Sequence, residues 1–452
     1  MSEQGGERRL LRAATFESVG FVIRYVLRFG RSLVLTRLLF EEAFGVMSLL
    51  GALQVGLAML SDVGIAAAIV QNPRSEDEDF LNTAWTMQVV RGMGLTVLAL
   101  LAAYPLALFY DDPTQADLLP SFLVLVPVMA LGILIQGFES TALLTMRRRM
   151  EVGRIVGIEL SVAIITAVVA LSWAAIAPSI WVLLITSLLA TTLTTVGSHV
   201  VSIGYRNRFR WERRSAEEIT QFGKWIFGST ALEFVIGQLD RIVLGALLGM
   251  KLLGIYAVAT TLSGALSEAV GRLTHGVVYP ALSREHERDK SALGEAYYRT
   301  RRLMDPFTMV GTGGLVVLAP HVIQILYDDR YLEAGWILQW LAFRVALTSL
   351  HLPCETALVA TGQSRYGFYR NAARALSLLT MLPVGWWLAG PVGLIASLAL
   401  SELSAFAVLW PAAWRSGILR PAREGLAVAM FLGGAAIGLA VDVLAGPWLS
   451  QF

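Results

Sequence analysis

The sequence predicts an all-α polytopic membrane protein: two six-helix lobes related by a pseudo-two-fold axis, followed by one or two C-terminal helices. Three observations carry that prediction: an apolar composition, a series of runs long enough to cross a bilayer, and an internal repeat. Of the 452 residues, 56% are hydrophobic and 15% are charged, with mean hydropathy +0.62. Soluble domains hold about 45–50% apolar residues. The 36 basic and 34 acidic residues nearly cancel, so overall charge gives no reason to expect nucleic acid as a partner.

A spanning helix needs roughly 20 mostly apolar residues. Thirteen runs are expected to span, at 12–39, 43–70, 82–109, 117–145, 155–176, 180–203, 220–248, 252–282, 303–326, 335–361, 367–388, 391–413 and 424–447. The N-terminal stretch MSEQGGERRLLRAATFESVG has no A-x-A-like cleavage site, and the apolar run that follows is too long for a signal peptide. It is expected to remain on the mature chain. Cys354, beside Pro353 in an apolar run, has no second cysteine to pair with and is expected to be buried and inert.

Arginines recur in alternate loops. MRRRMEVGR (146–154), YRNRFRWERR (205–214), SREHERDK (283–290) with RTRR (299–302), SRYGFYR (364–370) and RSGILRPAR (415–423) fall on one side, together with Arg8, Arg9 and Arg12. The opposite loops, such as YDDPTQAD (110–117) and YDDRYLEAG (327–335), contribute Lys251 and Arg330. The positive-inside rule makes the arginine side, and the N-terminus with it, cytoplasmic. The acidic loop QNPRSEDEDF (71–80) also falls there, which the rule tolerates because acidic residues count for little.

The repeat appears about 210 residues on. RLLFEEAFGVMS (37–48) matches ALLGMKLLGIYA (246–257), with Leu38, Leu39 and Gly45 on Leu247, Leu248 and Gly254. LFYDD (108–112) matches ILYDD (325–329), and TAL (141–143) matches TAL (356–358). The offsets of 209, 217 and 215 keep one order along the chain. Six spans separate the matching points, so the halves share one orientation, as in transporters with parallel repeats whose substrate site lies between them. This divides the chain into an N-lobe at 1–214, a C-lobe at 215–415 and an additional spanning segment at 416–452.

An ionised side chain at the bilayer centre costs about 2.5–3.5 kcal/mol on insertion scales, so such residues face a cavity or a partner. In the N-lobe the candidates are Glu17, Arg24, Arg28, Arg31, Asp62, Arg91, Glu139 and Glu159. In the C-lobe they are Glu233, Asp240, Arg241, Glu268, Arg272, His275, Arg344, Glu355, Arg374 and Glu402. Positions 17, 24, 28 and 31 are spaced by seven, four and three residues and share one helical face. Val22, Tyr25, Val26, Phe29 and Leu33 form the opposite, apolar face. The 209-residue offset places Arg24 on Glu233 and Arg31 on Asp240, basic positions against acidic ones.

Three readings of that pattern stand side by side: structural ion pairs between the lobes, a first helix lying on the membrane surface, and a cationic substrate site. In the last, Arg24, Arg28, Arg31 and Arg91 bind an anionic substrate, since guanidinium forks match phosphate and carboxylate oxygens. Glu17, Asp62, Glu233, Asp240 and Arg241 then act as counter-ions or coupling groups. LYDD and FYDDP read as helix stops rather than metal sites, because no further ligand is spaced to join them. The five histidines show no metal-binding spacing, and there is no Walker A motif and no catalytic constellation. No metal or catalytic residue is therefore assigned.

TRLLFEEAFGVMSLLGALQVGLAMLSDVGIAAAIVQ (36–71), with a third span ending in LALFYDDP, resembles the first spans of bacterial polysaccharide transporters. These belong to the superfamily that also holds O-antigen flippases, the lipid II flippase and multidrug exporters. QLDRIVLGALLGMKLLGIYAVATTL (238–262) resembles the start of that family's second lobe. The resemblance implies a V-shaped central cavity and a bacterial inner-membrane flippase that moves an undecaprenyl-diphosphate-linked oligosaccharide by alternating access. It also implies coupling to an ion gradient, H⁺ or Na⁺, with no bound cofactor, and work alongside a polysaccharide polymerase or other assembly proteins. Two alternatives remain: a cation-coupled multidrug exporter, which should have an acidic, aromatic cavity, and a membrane glycan polymerase or ligase, which should carry a large outer loop.

Overall fold

The computed structural model describes residues 3–61, 64–72, 74, 77–115, 118–149, 151–201 and 206–449, with the backbone alone at 3–15, 17, 18, 60, 71, 222–229 and 445–449. Among them no strand occurs. The first eight helices are α1 (Glu3–Leu38), α2 (Glu41–Leu60), α3 (Ile65–Gln71), α4 (Glu78–Tyr110), α5 (Phe122–Gly137), α6 (Ala142–Arg148), α7 (Val152–Ile176) and α8 (Ile180–Val200). They are followed by α9 (Arg213–Leu273), α10 (Tyr279–Arg288), α11 (Leu293–Leu326), α12 (Ala334–Ala360), α13 (Arg365–Leu400), α14 (Leu403–Arg415) and α15 (Pro421–Leu449). Among the described residues eight helices are long and apolar enough to cross a membrane, and α5 with α6 makes a ninth if that bent pair is one span.

The runs expected at 220–248 and 252–282 merge into α9, whose 61 residues are interrupted at Gly249 with φ 77°. At about 1.5 Å per residue an unbroken helix of that length would cover some 90 Å, three times a bilayer core. The left-handed glycine supplies the break that an apolar run alone does not announce. The runs at 367–388 and 391–413 likewise join through α13, broken at Ala389 and Gly390, into α14.

The chain forms two compact units, Met1–Phe234 with Arg241–Leu253, and Val235–Asp240 with Gly254–Phe452. In the first unit α1 packs along α7. Gly20 allows this, because a Cβ there would lie 2.4 Å from Val156 Cγ1. One turn further on, the same approach sets Arg24 against Glu159, with which it forms an ion pair. Val22 and Val26 are 56% and 62% exposed and the Arg24 side chain is 22% exposed, but Arg28 is exposed while Tyr25, Phe29 and Leu33 are half-buried, so α1 presents both apolar and cationic side chains outward. Leu35 and Leu39 continue α1 into a core with Ala170, Ala174 and Val182.

At the arginine-rich end of this unit, residues 206–212 run outside any helix along α4. Arg208 N donates to Asn82 Oδ1 (2.7 Å), Arg210 N to Thr86 Oγ1 (3.1 Å) and Glu212 N to Thr83 Oγ1 (3.0 Å). Arg74 then bridges Asp77 and Glu212, each at 2.8 Å, and Glu218 at 3.4 Å. Asp77 is held below the ordinary carboxylate range by the Arg74 hydrogen bond. Glu212 is lowered by the Ser215 hydroxyl and Arg74, and Glu218 by the Asn72 amide. Groups with depressed values stabilise the fold above their unfolded pKa of roughly 4 and lose that contribution as pH falls through the lower folded values. Amide exchange at Arg208, Arg210 and Glu212, corrected for intrinsic rate, should therefore accelerate below about pH 4; a flat profile would remove this tie between the segments.

In the second unit α11 and α15 lie at backbone contact. A Cβ on Gly313 would stand 2.1 Å from Phe431 O, and one on Gly434 2.3 Å from Val310 O. Small residues that let spanning helices touch are the membrane equivalent of a packed core. Gly313→Leu should force the two helices apart and lower the thermal midpoint of the detergent-solubilised protein by several degrees, whereas Gly311→Leu, where a Cβ meets nothing within 4 Å, should leave it near wild type. Cys354 is fully buried in this unit's core, its Sγ 3.7 Å from Leu409 O.

Candidate functional site

The run expected as one span at 117–145 is broken. α5 ends at Gly137, α6 starts at Ala142, and the two are bent by 57°. The approach of α4 explains where the break sits. Gly92 and Gly137 are in backbone contact, since a Cβ on Gly92 would lie 2.9 Å from Gly137 Cα. That brings Gln88 one turn away, and its amide donates to Glu139 O (2.9 Å), Gly137 O (3.3 Å) and Gln136 O (3.4 Å). Trp85 Nε1 donates to Phe138 O (3.3 Å), His199 Nε2 reaches the same oxygen (2.8 Å), and Ser198 Oγ accepts from Ser140 N (2.9 Å). Irregular backbone at membrane depth is tolerated where protein groups satisfy it or where it lines a cavity.

Here it does both. A cavity of about 520 Å³ opens against the break, lined by Gln54, Gln88, Arg91, Gln136, Glu139 and Glu233 among others. Arg91 is positioned by the C-terminal end of α2: its Nε donates to Ser61 Oγ (2.9 Å) and its Nη2 to Ala58 O (2.6 Å). The carbonyl end of a helix favours a cation, so α2 fixes the guanidinium in place. The site thus combines one oriented arginine, three side-chain amides and two carboxylates.

Of the residues expected from sequence, Arg91 and Glu233 line this cavity. Arg24 pairs with Glu159 on α7, whereas the repeat pointed to Glu233; a repeat aligns equivalent positions and carries no information on which neighbour a side chain meets. Arg28 lies over the Tyr25 ring, 5.3 Å from its centroid. Arg31 and Arg241 are half-buried. Asp240 is buried and accepts a hydrogen bond from Tyr256. Asp62 and the Glu17 side chain lie outside the described residues. The acidic turn motifs serve local structure: Asp111 accepts from Ser121 Oγ and Phe122 N at the start of α5, and Asp112 from Thr114 N.

The second unit holds a polar cluster that sequence reasoning named only as separate ions. Glu402 stands between α13 and α14, buried to 1% exposure. Its Oε1 accepts from Arg374 Nη2 (2.7 Å) and Arg344 Nε (3.2 Å), and its Oε2 faces His351 Nε2 at 3.1 Å. A separate buried set ties α15 to α11: Arg301 to Glu424 (2.7 Å) and Asp305 (3.0 Å), with Tyr298 Oη donating to Glu424 (2.8 Å).

With this geometry in hand, comparison with known proteins places the chain. A family model described as polysaccharide biosynthesis protein matches residues 34–335. The succinoglycan biosynthesis transport protein ExoT of Rhizobium meliloti is 25% identical over 360 residues, 78% of this chain and 69% of that protein. The lipopolysaccharide biosynthesis protein WzxC of Escherichia coli is 22% identical over 400 residues, 87% of this chain and 79% of the relative. Among solved structures, the lipid II flippase MurJ in an inward closed conformation superimposes with TM-score 0.69 at 11% identity, over 95% of this chain and 93% of that one. An inward-facing multidrug resistance transporter of the MATE family gives TM-score 0.66 at 12% identity, over 87% of this chain and 94% of that one.

Proposed function

The chain belongs to the polysaccharide biosynthesis protein family, and from that premise we propose that it is a transporter, not an enzyme, for polysaccharide assembly. Its cargo is an oligosaccharide on undecaprenyl diphosphate, carried from the cytoplasmic to the periplasmic leaflet of a bacterial inner membrane by alternating access. The N-terminus faces the cytoplasm, a proton or sodium gradient drives the cycle, and polymerase or other assembly proteins take the product. The observation that carries the reading is the cavity at the broken span. Arg91 offers a guanidinium for a diphosphate or acidic sugar, and the amides of Gln54, Gln88 and Gln136 offer paired donors and acceptors for sugar hydroxyls.

The arginine face of α1 is a second cationic station in this proposal. Arg28 and Arg31 attract the head group electrostatically, while Arg24 is held by Glu159. Glu17, Asp62, Glu233, Asp240 and Arg241 remain proposed counter-ions or coupling groups. The N- and C-lobe division near residue 214 and the extra segment after 415 are likewise part of this reading. The test is translocation of a polyprenyl-diphosphate-linked oligosaccharide in vesicles containing the purified protein. Movement to the far leaflet is expected, and none above protein-free vesicles would reject the proposal.

One observation favours a second reading. Glu139 and Glu233 put two carboxylates against one arginine in the cavity, which suits an organic cation. Expression in a drug-sensitive host separates the two: raised resistance to cationic dyes would favour an exporter of drugs.

A further inference from the structure

The buried cluster in the second unit is more than a set of ion pairs. The chemistry of its histidine singles out one atom. Two arginines sit on Oε1 of Glu402, and a carboxylate so held is ionised and can only accept hydrogen bonds. His351 Nε2, 3.1 Å from Oε2, must therefore carry the hydrogen. In a neutral imidazole that leaves Nδ1 with an open lone pair. Nδ1 is buried and, like Arg374 Nε in the same cluster, has no hydrogen-bond partner among the described residues, while the ring as a whole is 0% exposed and meets Phe406 edge-on, 5.6 Å between centroids. An orphaned basic nitrogen in a buried network is unusual in a purely structural cluster, where polar atoms are satisfied.

The charges around it are balanced before any proton is added. Arg344 and Arg374 face Glu402, and both lie within electrostatic reach of Asp240, giving two formal cations and two formal anions with the imidazole neutral. Further along α12, Glu355 holds Arg370 at 3.2 Å and borders a small cavity with His275 from the π-helical turn 274–278. Beyond α12, the buried charges on α11 and α15, Arg301, Asp305 and Glu424, are already paired with each other, and of the other charged groups on those helices Glu295 pairs with Arg423 and His321 with Asp442. One proton on Nδ1 would thus turn a neutral cluster into one carrying a net positive charge. It would then compete with Arg344 and Arg374 for one carboxylate.

We propose that His351 Nδ1 is a proton-binding site linked to transport. The linking element is the joint between α13 and α14, because Glu402 occupies it, immediately before α14 begins at Leu403. Loading the proton shifts Glu402 from the arginines toward the imidazolium; losing it returns Glu402 to Arg374. The joint thereby reports protonation as a change in how α13 meets α14. Histidine suits this task because its ordinary pKa puts the change within reach of physiological pH. The coupling to cargo rests on the transporter reading above, whereas proton binding does not.

Two measurements separate these claims. In the full chain carrying ¹⁵N-labelled histidine and the substitutions His199→Gln, His275→Gln, His286→Gln and His321→Gln, His351 is the single remaining histidine. Lowering the pH should carry its ring nitrogens from the neutral to the protonated pattern; a ring that stays neutral throughout overturns the site without touching the transporter reading. In vesicles with an imposed pH gradient, His351→Gln keeps a donor for Glu402 and loses the open base. Its gradient-driven translocation of a polyprenyl-diphosphate-linked oligosaccharide should fall at least about fivefold, the low end for coupled sites. A wild-type gradient response in that variant overturns the link. A titrating His351 in a chain that moves no lipid-linked glycan supports the proton site and rejects the cargo.

Discussion

Glu402→Leu is expected to remove most folded protein from the membrane. The carboxylate is the shared acceptor for Arg344, Arg374 and His351, and it is 1% exposed. Removing one partner of a buried ion pair leaves an uncompensated charge and costs about 3–5 kcal/mol, and here the buried Arg374 guanidinium is stranded while the partly exposed Arg344 also loses its partner. Arg374→Leu alone should cost less, because Arg344 and His351 still face the carboxylate. The double variant Glu402→Leu with Arg374→Leu should be more stable than Glu402→Leu alone, since one stranded charge is gone. Midpoints of thermal unfolding in detergent check this order, and simple additivity of the two single changes would show that the residues do not act as one cluster.

Arg91→Met should reduce translocation by about 10- to 100-fold, the worth of one lost charged hydrogen-bonding group. The same variant gives up the hydrogen bonds to Ser61 and Ala58, so stability must be read beside transport. Arg91→Lys serves as the control: it keeps a cation near the α2 terminus but cannot present a planar fork. Intermediate translocation with near-normal stability is expected for lysine. Wild-type translocation by the methionine variant would take the cavity out of the cargo path.

The membrane character, the helical runs and the charged positions within them are legible in composition and periodicity. Helical spacing alone sorts Arg24, Arg28 and Arg31 from Val22 and Val26 on the first helix, yet Arg28 is exposed along with both valines. What pairs with what is not legible. Arg24 meets Glu159 because Gly20 lets α1 touch Val156, a fact of packing that the 209-residue repeat cannot contain. The break after Gly137 was also hidden, since QGFES lies in an otherwise apolar run with no proline at the bend. The signals that mark it are a glycine on each of two helices and a glutamine one turn from the first, and these become meaningful only when Gly92 and Gly137 are known to touch. The Glu402 cluster had its ions in view, but they come from three parts of the chain more than twenty residues apart, joined across a helix break at Ala389 and Gly390.

The burial of Cys354 makes the natural chain a chemically silent background. Its thiol has no exposure, so a membrane-impermeant maleimide should leave the unaltered protein unlabelled. A cysteine introduced at exposed Asp112 or at exposed Arg213 would then be the sole reactive site on each variant. Labelling of one in intact cells and of the other only after lysis would assign each end of the helices to its side of the membrane, with no need to engineer away a native thiol first.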